Sequence, residues 1–128
     1  MIQEGKDVTI FACGHLVWKA IEAVEILKEQ GISAELINIH TIKPLDVDAV
    51  LKSVAKTRCV VTAEEHMRNG GLGDSIAQVL ALNNPAPIEM VAVNDMFGQS
   101  GTPDELLKAY HLDTPDIVEA VKKVIKRK

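Results

Sequence analysis

The sequence predicts an α/β protein with three layers, α/β/α, built on an open, mainly parallel sheet of four to five strands. Three observations lead there. Short β-branched apolar runs alternate with amphipathic stretches of helical period along the whole chain. The runs recur roughly every 25–30 residues, the length of a strand–helix crossover, and such crossovers build parallel sheets. The strand candidates are apolar at successive positions, as in strands covered by helices on both faces.

The elements follow in order. Val8-Thr9-Ile10-Phe11-Ala12-Cys13 is the first strand, ended by Gly14. Leu16, Val17, Ala20, Ile21, Val24 and Leu27 repeat at helical period, with Lys19, Glu22, Glu25, Lys28 and Glu29 on the other face. Gly31 supplies a left-handed C-cap. Ala34 to Ile39 forms a second strand. Lys43-Pro44-Leu45-Asp46 turns the chain, and Asp46 N-caps a helix that reaches about Lys56. Arg58 to Ala63 is the third strand. Asn69-Gly70-Gly71-Leu72-Gly73 leads into a helix with Leu72, Ile76, Val79 and Leu80 on one face, and Pro85 and Pro87 bracket its exit. Ile88 to Val93 is the fourth strand. Thr102-Pro103-Asp104-Glu105 is a capping box with proline at the first helical position. Thr114-Pro115 opens the last helix, whose apolar stripe is Ile117, Val118, Val121, Val124 and Ile125.

Length and composition bound the function. A chain of 128 residues is expected to form one domain spanning residues 1–128. With 47% hydrophobic and 25% charged residues it has the makeup of an ordinary soluble domain. Apolar runs of about four residues fall far short of the ~20 that a membrane helix needs, and Met1 to Asp7 carries no charged-then-apolar leader. Eighteen acidic against fourteen basic residues give a net charge of −4, which argues against a nucleic-acid partner. The basic cluster Lys122, Lys123, Lys126, Arg127 and Lys128 suits a helix C-terminus. Cys13 and Cys59 lie in or beside apolar runs with no CxxC spacing, so both are expected to be core thiols and the compartment cytoplasmic. Trp18, the single tryptophan, falls at the edge of the first helix's stripe. It is expected either half-buried there or near an interface.

In an open parallel sheet, ligands bind beyond the carboxyl ends of the strands where the strand order reverses. If the order is second-first-third-fourth, the reversal brings Gly14-His15 opposite Glu64-Glu65-His66, all expected to follow their strands. Polar loop residues are the plainer reading, since no helical His/Glu pair marks a metal site. The candidate crevice residues are His15, Glu64, Glu65, His66, Gly70, Gly71 and Gly73. The glycine run matches neither dinucleotide nor P-loop fingerprint, and Asp74 would repel an anion. Gly71 and Gly73 are therefore expected at positive φ or in close helix–strand contact.

The ordered phrases carry more. Gly5-Lys6-Asp7-Val8-Thr9-Ile10, Ala12-Cys13-Gly14-His15, Ile42-Lys43-Pro44-Leu45-Asp46, Thr62-Ala63-Glu64-Glu65-His66, Gly70-Gly71-Leu72-Gly73, and Asp95 with Phe97-Gly98-Gln99-Ser100-Gly101 appear in that order. Leu106-Leu107, Tyr110 and Leu112 follow. Together they resemble the C-terminal domain of transketolase, and in particular the short C-terminal subunit of transketolases split over two chains. The related domains of deoxyxylulose phosphate synthase and of 2-oxo acid dehydrogenase beta subunits match the segment from Phe97 to Tyr110 less well. The resemblance implies an enzyme that moves two-carbon ketol units between sugar phosphates with thiamine diphosphate and a divalent metal. It also implies that both cofactors lie between other domains, the diphosphate-binding and pyrimidine-binding ones, which would be this chain's partners in an oligomeric enzyme. The metal-binding GDG pattern does not occur here, and the cofactor-activating glutamate belongs to the pyrimidine domain, so Glu64 and Glu65 do not take that role. The expectation is a packing and dimer-assembly domain, inactive alone and cut from a longer enzyme, with no catalytic, cofactor or metal residue of its own. The family often adds one antiparallel strand, which the sequence does not place. The competing readings are a stand-alone ligand-sensing α/β module and a self-contained enzyme built on Glu64, Glu65 and His66.

Overall fold

A computed structural model describes residues 2–14, 16–39, 46–67, 71–93 and 114–128. Strand β1 (Val8–Ala12) is apolar or β-branched throughout and buried at all five positions. It runs between β2 (Ala34–Asn38) and β3 (Val60–Met67), with β4 (Ile88–Val93) outside β3. All three pairings are parallel and the order is β2-β1-β3-β4, the arrangement that places the reversal between β1 and β3.

Successive side chains of a strand point to opposite faces, and the core divides accordingly. Val8, Ile10, Ala12, Val61 and Ala63 pack with helices α1 (Leu16–Glu29) and α4 (Thr114–Lys126). Phe11, Ile37 and Val60 pack with α2 (Val47–Thr57) and α3 (Leu72–Asn83) on the other side. The result is the expected three-layer α/β/α protein.

Most boundaries follow local chemistry. Gly31 stands at φ 81° after α1, and the Ile32 and Gly31 amides donate to Leu27 and Lys28 carbonyls in a Schellman closure. The Asp46 carboxylate accepts from the Ala49 amide at 3.1 Å and caps α2. The first two strands end one residue earlier than expected, and both boundaries of the third differ. Arg58 does not begin the third strand: it caps α2 in the left-handed region at φ 64°, donating its amide to Val54. The strand starts at Val60 and continues to Met67, because after a register shift past Ala63 the ladder resumes at Met67 and Val93. Glu64, Glu65 and His66 therefore belong to β3, not to the loop after it.

The N-terminal segment supplies an unforeseen feature. Gln3 bridges antiparallel to Leu36 on the outer edge of β2, a single antiparallel pair beside the four parallel strands. The chain then crosses β2 at Gly5, where an added Cβ would lie 2.2 Å from the Ala34 carbonyl carbon. The Lys6 and Asp7 amides bond to the Ser33 carbonyl, and β1 begins. The capping box at residues 102–105 lies outside the described residues.

Candidate functional site

The reversal between β1 and β3 is where an open sheet offers a crevice. On the β1 side, Gly14 turns the chain at φ 65°. On the β3 side, Glu64 points toward α3 and is fully buried. Its Oε2 accepts the Gly73 amide at 2.7 Å. Glu64 is thus a cap carried by a strand, meeting the positive end of the α3 dipole with its own carboxylate.

The close approach of α3 makes this bond possible. A Cβ on Gly73 would sit 2.8 Å from Met90 Sδ and 3.2 Å from Thr62 Oγ1. Glycine is favoured there by close helix–strand contact, one of the two reasons expected. Gly71 is the N-cap in extended backbone at φ −92°, so positive φ is not its reason. Of the expected crevice residues, the structure joins Glu64 with Gly73 and places Gly71 beside them. Glu65 and His66 are fixed in the β3 backbone, their side chains not being among those described, and His15 and Gly70 lie outside the described residues.

The start of α3, within the described part of this rim, does not suit a diphosphate. The anion-seeking N–H of Gly73 is taken by Glu64, and Asp74 adds a second acidic residue in the first turn of α3. Among the described residues, no group of three or more His, Cys, Asp or Glu side chains is placed to hold a metal. The described residues of the rim therefore supply neither a free diphosphate cradle at the start of α3 nor a group of metal ligands.

A second polar cluster escaped the sequence reading. Glu35 of β2 is fully buried on the α2 side. It accepts from Lys56 Nζ, the Ser53 hydroxyl and the Gly5 amide. Thr9 Oγ1 joins Ser53 at 2.7 Å and Thr57 at 2.6 Å. Burial pushes the Glu35 carboxyl up, but the hydrogen bonds from Lys56, Ser53 and Gly5 together with the Lys56 charge outweigh it and hold the group below its ordinary value. Within an apolar run, one glutamate gave no sign of burial; a Lys and a Ser at α2 spacing facing it were the only available signal.

Cys59 is buried as expected, its thiol reaching the Asp7 carbonyl at 3.2 Å. Burial, the largest influence, pushes that thiol up, so it is a poor nucleophile at neutral pH. Cys13 is only half-buried. Trp18 is 72% exposed, which corrects the half-buried expectation: its neighbours on α1 leave the indole off the packed stripe. No helix among the described residues is long and apolar enough to cross a membrane.

Comparison with known proteins agrees with this fold. The family described as transketolase, C-terminal domain, matches residues 1–117. The chain belongs to that family. It is 46% identical over 128 residues to the 6-deoxy-6-sulfo-D-fructose transketolase subunit SqwH of Clostridium sp. (strain MSTE9), covering 100% of this chain and 40% of that one. A 1-deoxy-D-xylulose-5-phosphate synthase of Halothermothrix orenii is 35% identical over 127 residues, covering 98% of this chain and 20% of the synthase. A solved split-gene transketolase, described as an inactive beta4 tetramer, superposes with a TM-score of 0.93 at 45% identity, over 97% of this chain and 41% of its own. The chain thus spans well under half the length of each.

Proposed function

We propose that this chain is the assembly domain of a cytoplasmic transketolase-type enzyme. In that enzyme the pyrimidine-binding and diphosphate-binding domains hold thiamine diphosphate and a divalent metal and carry ketol transfer between sugar phosphates. This domain packs on them and contributes to an oligomer. The greater identity to a transketolase subunit than to the synthase, 46% against 35%, supports the transketolase branch.

The observation that carries the assembly role is Trp18, which stands 72% exposed one turn from the carboxyl-end rim. A large aromatic in water is what an interface anchor looks like before its partner arrives. Trp18→Glu is expected to weaken association with the other domains of the enzyme by at least about tenfold, the scale of an interface hot spot. The isolated chain's melting temperature should not move. Affinity measured with and without the substitution checks this, and equal affinities would remove Trp18 from the interface.

A further inference from the structure

Glu35 presents an acidic side chain that is fully buried on an edge strand. A buried carboxylate without compensation is strongly destabilising, so its donors identify its task. Ser53 and Lys56 come from α2, and each could satisfy a carboxylate packed between β2 and that helix. The remaining donor is the amide of Gly5, from the N-terminal segment.

That segment is anchored at both ends. Ile2 and Gln3 exchange backbone hydrogen bonds with Leu36, and Lys6 and Asp7 bond to Ser33. Between these points the chain steps across β2, and only a residue without Cβ fits against the Ala34–Glu35 peptide. The crossing brings the Gly5 amide 3.2 Å from Glu35 Oε1, the same oxygen that Lys56 engages.

We propose that Glu35 is a positioning residue that, ionised and paired with Lys56, clips residues 2–5 across β2 and so fixes the direction in which the chain enters the domain. The antiparallel run beside β2 brings that entry from the carboxyl-end side of the sheet. In a C-terminal domain this would orient whatever precedes it; that consequence rests on the assembly reading, whereas the clip does not.

The charges around Glu35 set its pH dependence. Lys56 of α2 faces it directly, and Glu4 of the strap and Lys52 of α2 line the same groove of about 680 Å³. The folded-state carboxyl is held below its ordinary value. The clip is therefore fully present above the ordinary glutamate range and is lost as pH falls through the lowered folded value.

Amide exchange and proton shifts by NMR on the whole chain test the proposal. The Gly5 amide shift in the unmodified protein should titrate with a midpoint below the ordinary glutamate value. Lys56→Gln should raise that midpoint and cut protection of the Ile2, Gln3 and Gly5 amides at least tenfold, while Ile10 and Val61 keep theirs. Lys56→Arg should restore the strap. A Gly5 titration at or above the ordinary value would overturn the clip. So would strap protection unchanged in Lys56→Gln, or a loss shared equally by the core amides. The titration of the unmodified chain decides the matter even if Lys56→Gln fails to fold.

Discussion

Gly73 shows how one absent side chain sets the geometry around it. Its amide reaches Glu64 because α3 lies directly on Thr62 and Met90. Gly73→Ala would push a methyl into that contact. The methionine end can swing aside, but the buried Thr62 hydroxyl must also give by a few tenths of an ångström in a packed layer, so the substitution should cost about 1–3 kcal/mol as overpacking. Chemical denaturation checks this; an unchanged midpoint would show that the helix yields without cost. The need for glycine was legible in the sequence, since neither phosphate fingerprint fitted the run. Its partner was not. Glu64 reads as the first polar residue after a strand, and only the extension of β3 to Met67 turns it inward. Glu35 was harder still, because its apolar neighbours Leu36 and Ile37 mask a single buried charge.

Among the elements, strands and helices with strong periodicity were legible to within a residue or two. Ile88–Val93 and the helix from Thr114 matched their expected starts. The misreadings have physical causes. Arg58 adopts a left-handed cap that is usually glycine's, so nothing in its side chain announces the end of α2. The strap has one bridging pair and no room for a period. Its signature is Gly5, whose added Cβ would meet three backbone atoms of Ala34 and Glu35 within 2.6 Å. Backbone cannot swing away as a methionine can. Gly5→Ala should therefore lift the strap off the edge of β2, exposing the Leu36 amide that now donates to Gln3. Hydrogen exchange should show Leu36 losing protection while β1 and β3 retain theirs. Retained protection at Leu36 would mean the strap reroutes around the new methyl.

At the scale of the whole molecule, the order β2-β1-β3-β4 that the sequence left conditional is the one observed, and the right-handed crossover rule then sets α1 on one face and α2 and α3 on the other. What periodicity could not supply is the surface. Trp18 at 72% and Leu82 at 85% exposure are apolar groups that folding of this chain alone does not cover. They are the surface that the proposed assembly role would use, in a chain that spans 40% of a related transketolase subunit. The proposed assembly role assigns ketol transfer to other domains, and the Glu64 carboxylate that already occupies the start of α3 supports that proposal. Calorimetric titration of the isolated chain with thiamine diphosphate and magnesium tests that division of labour most directly. An assembly domain gives only the heat of dilution, and saturable binding in the micromolar range would contradict the role.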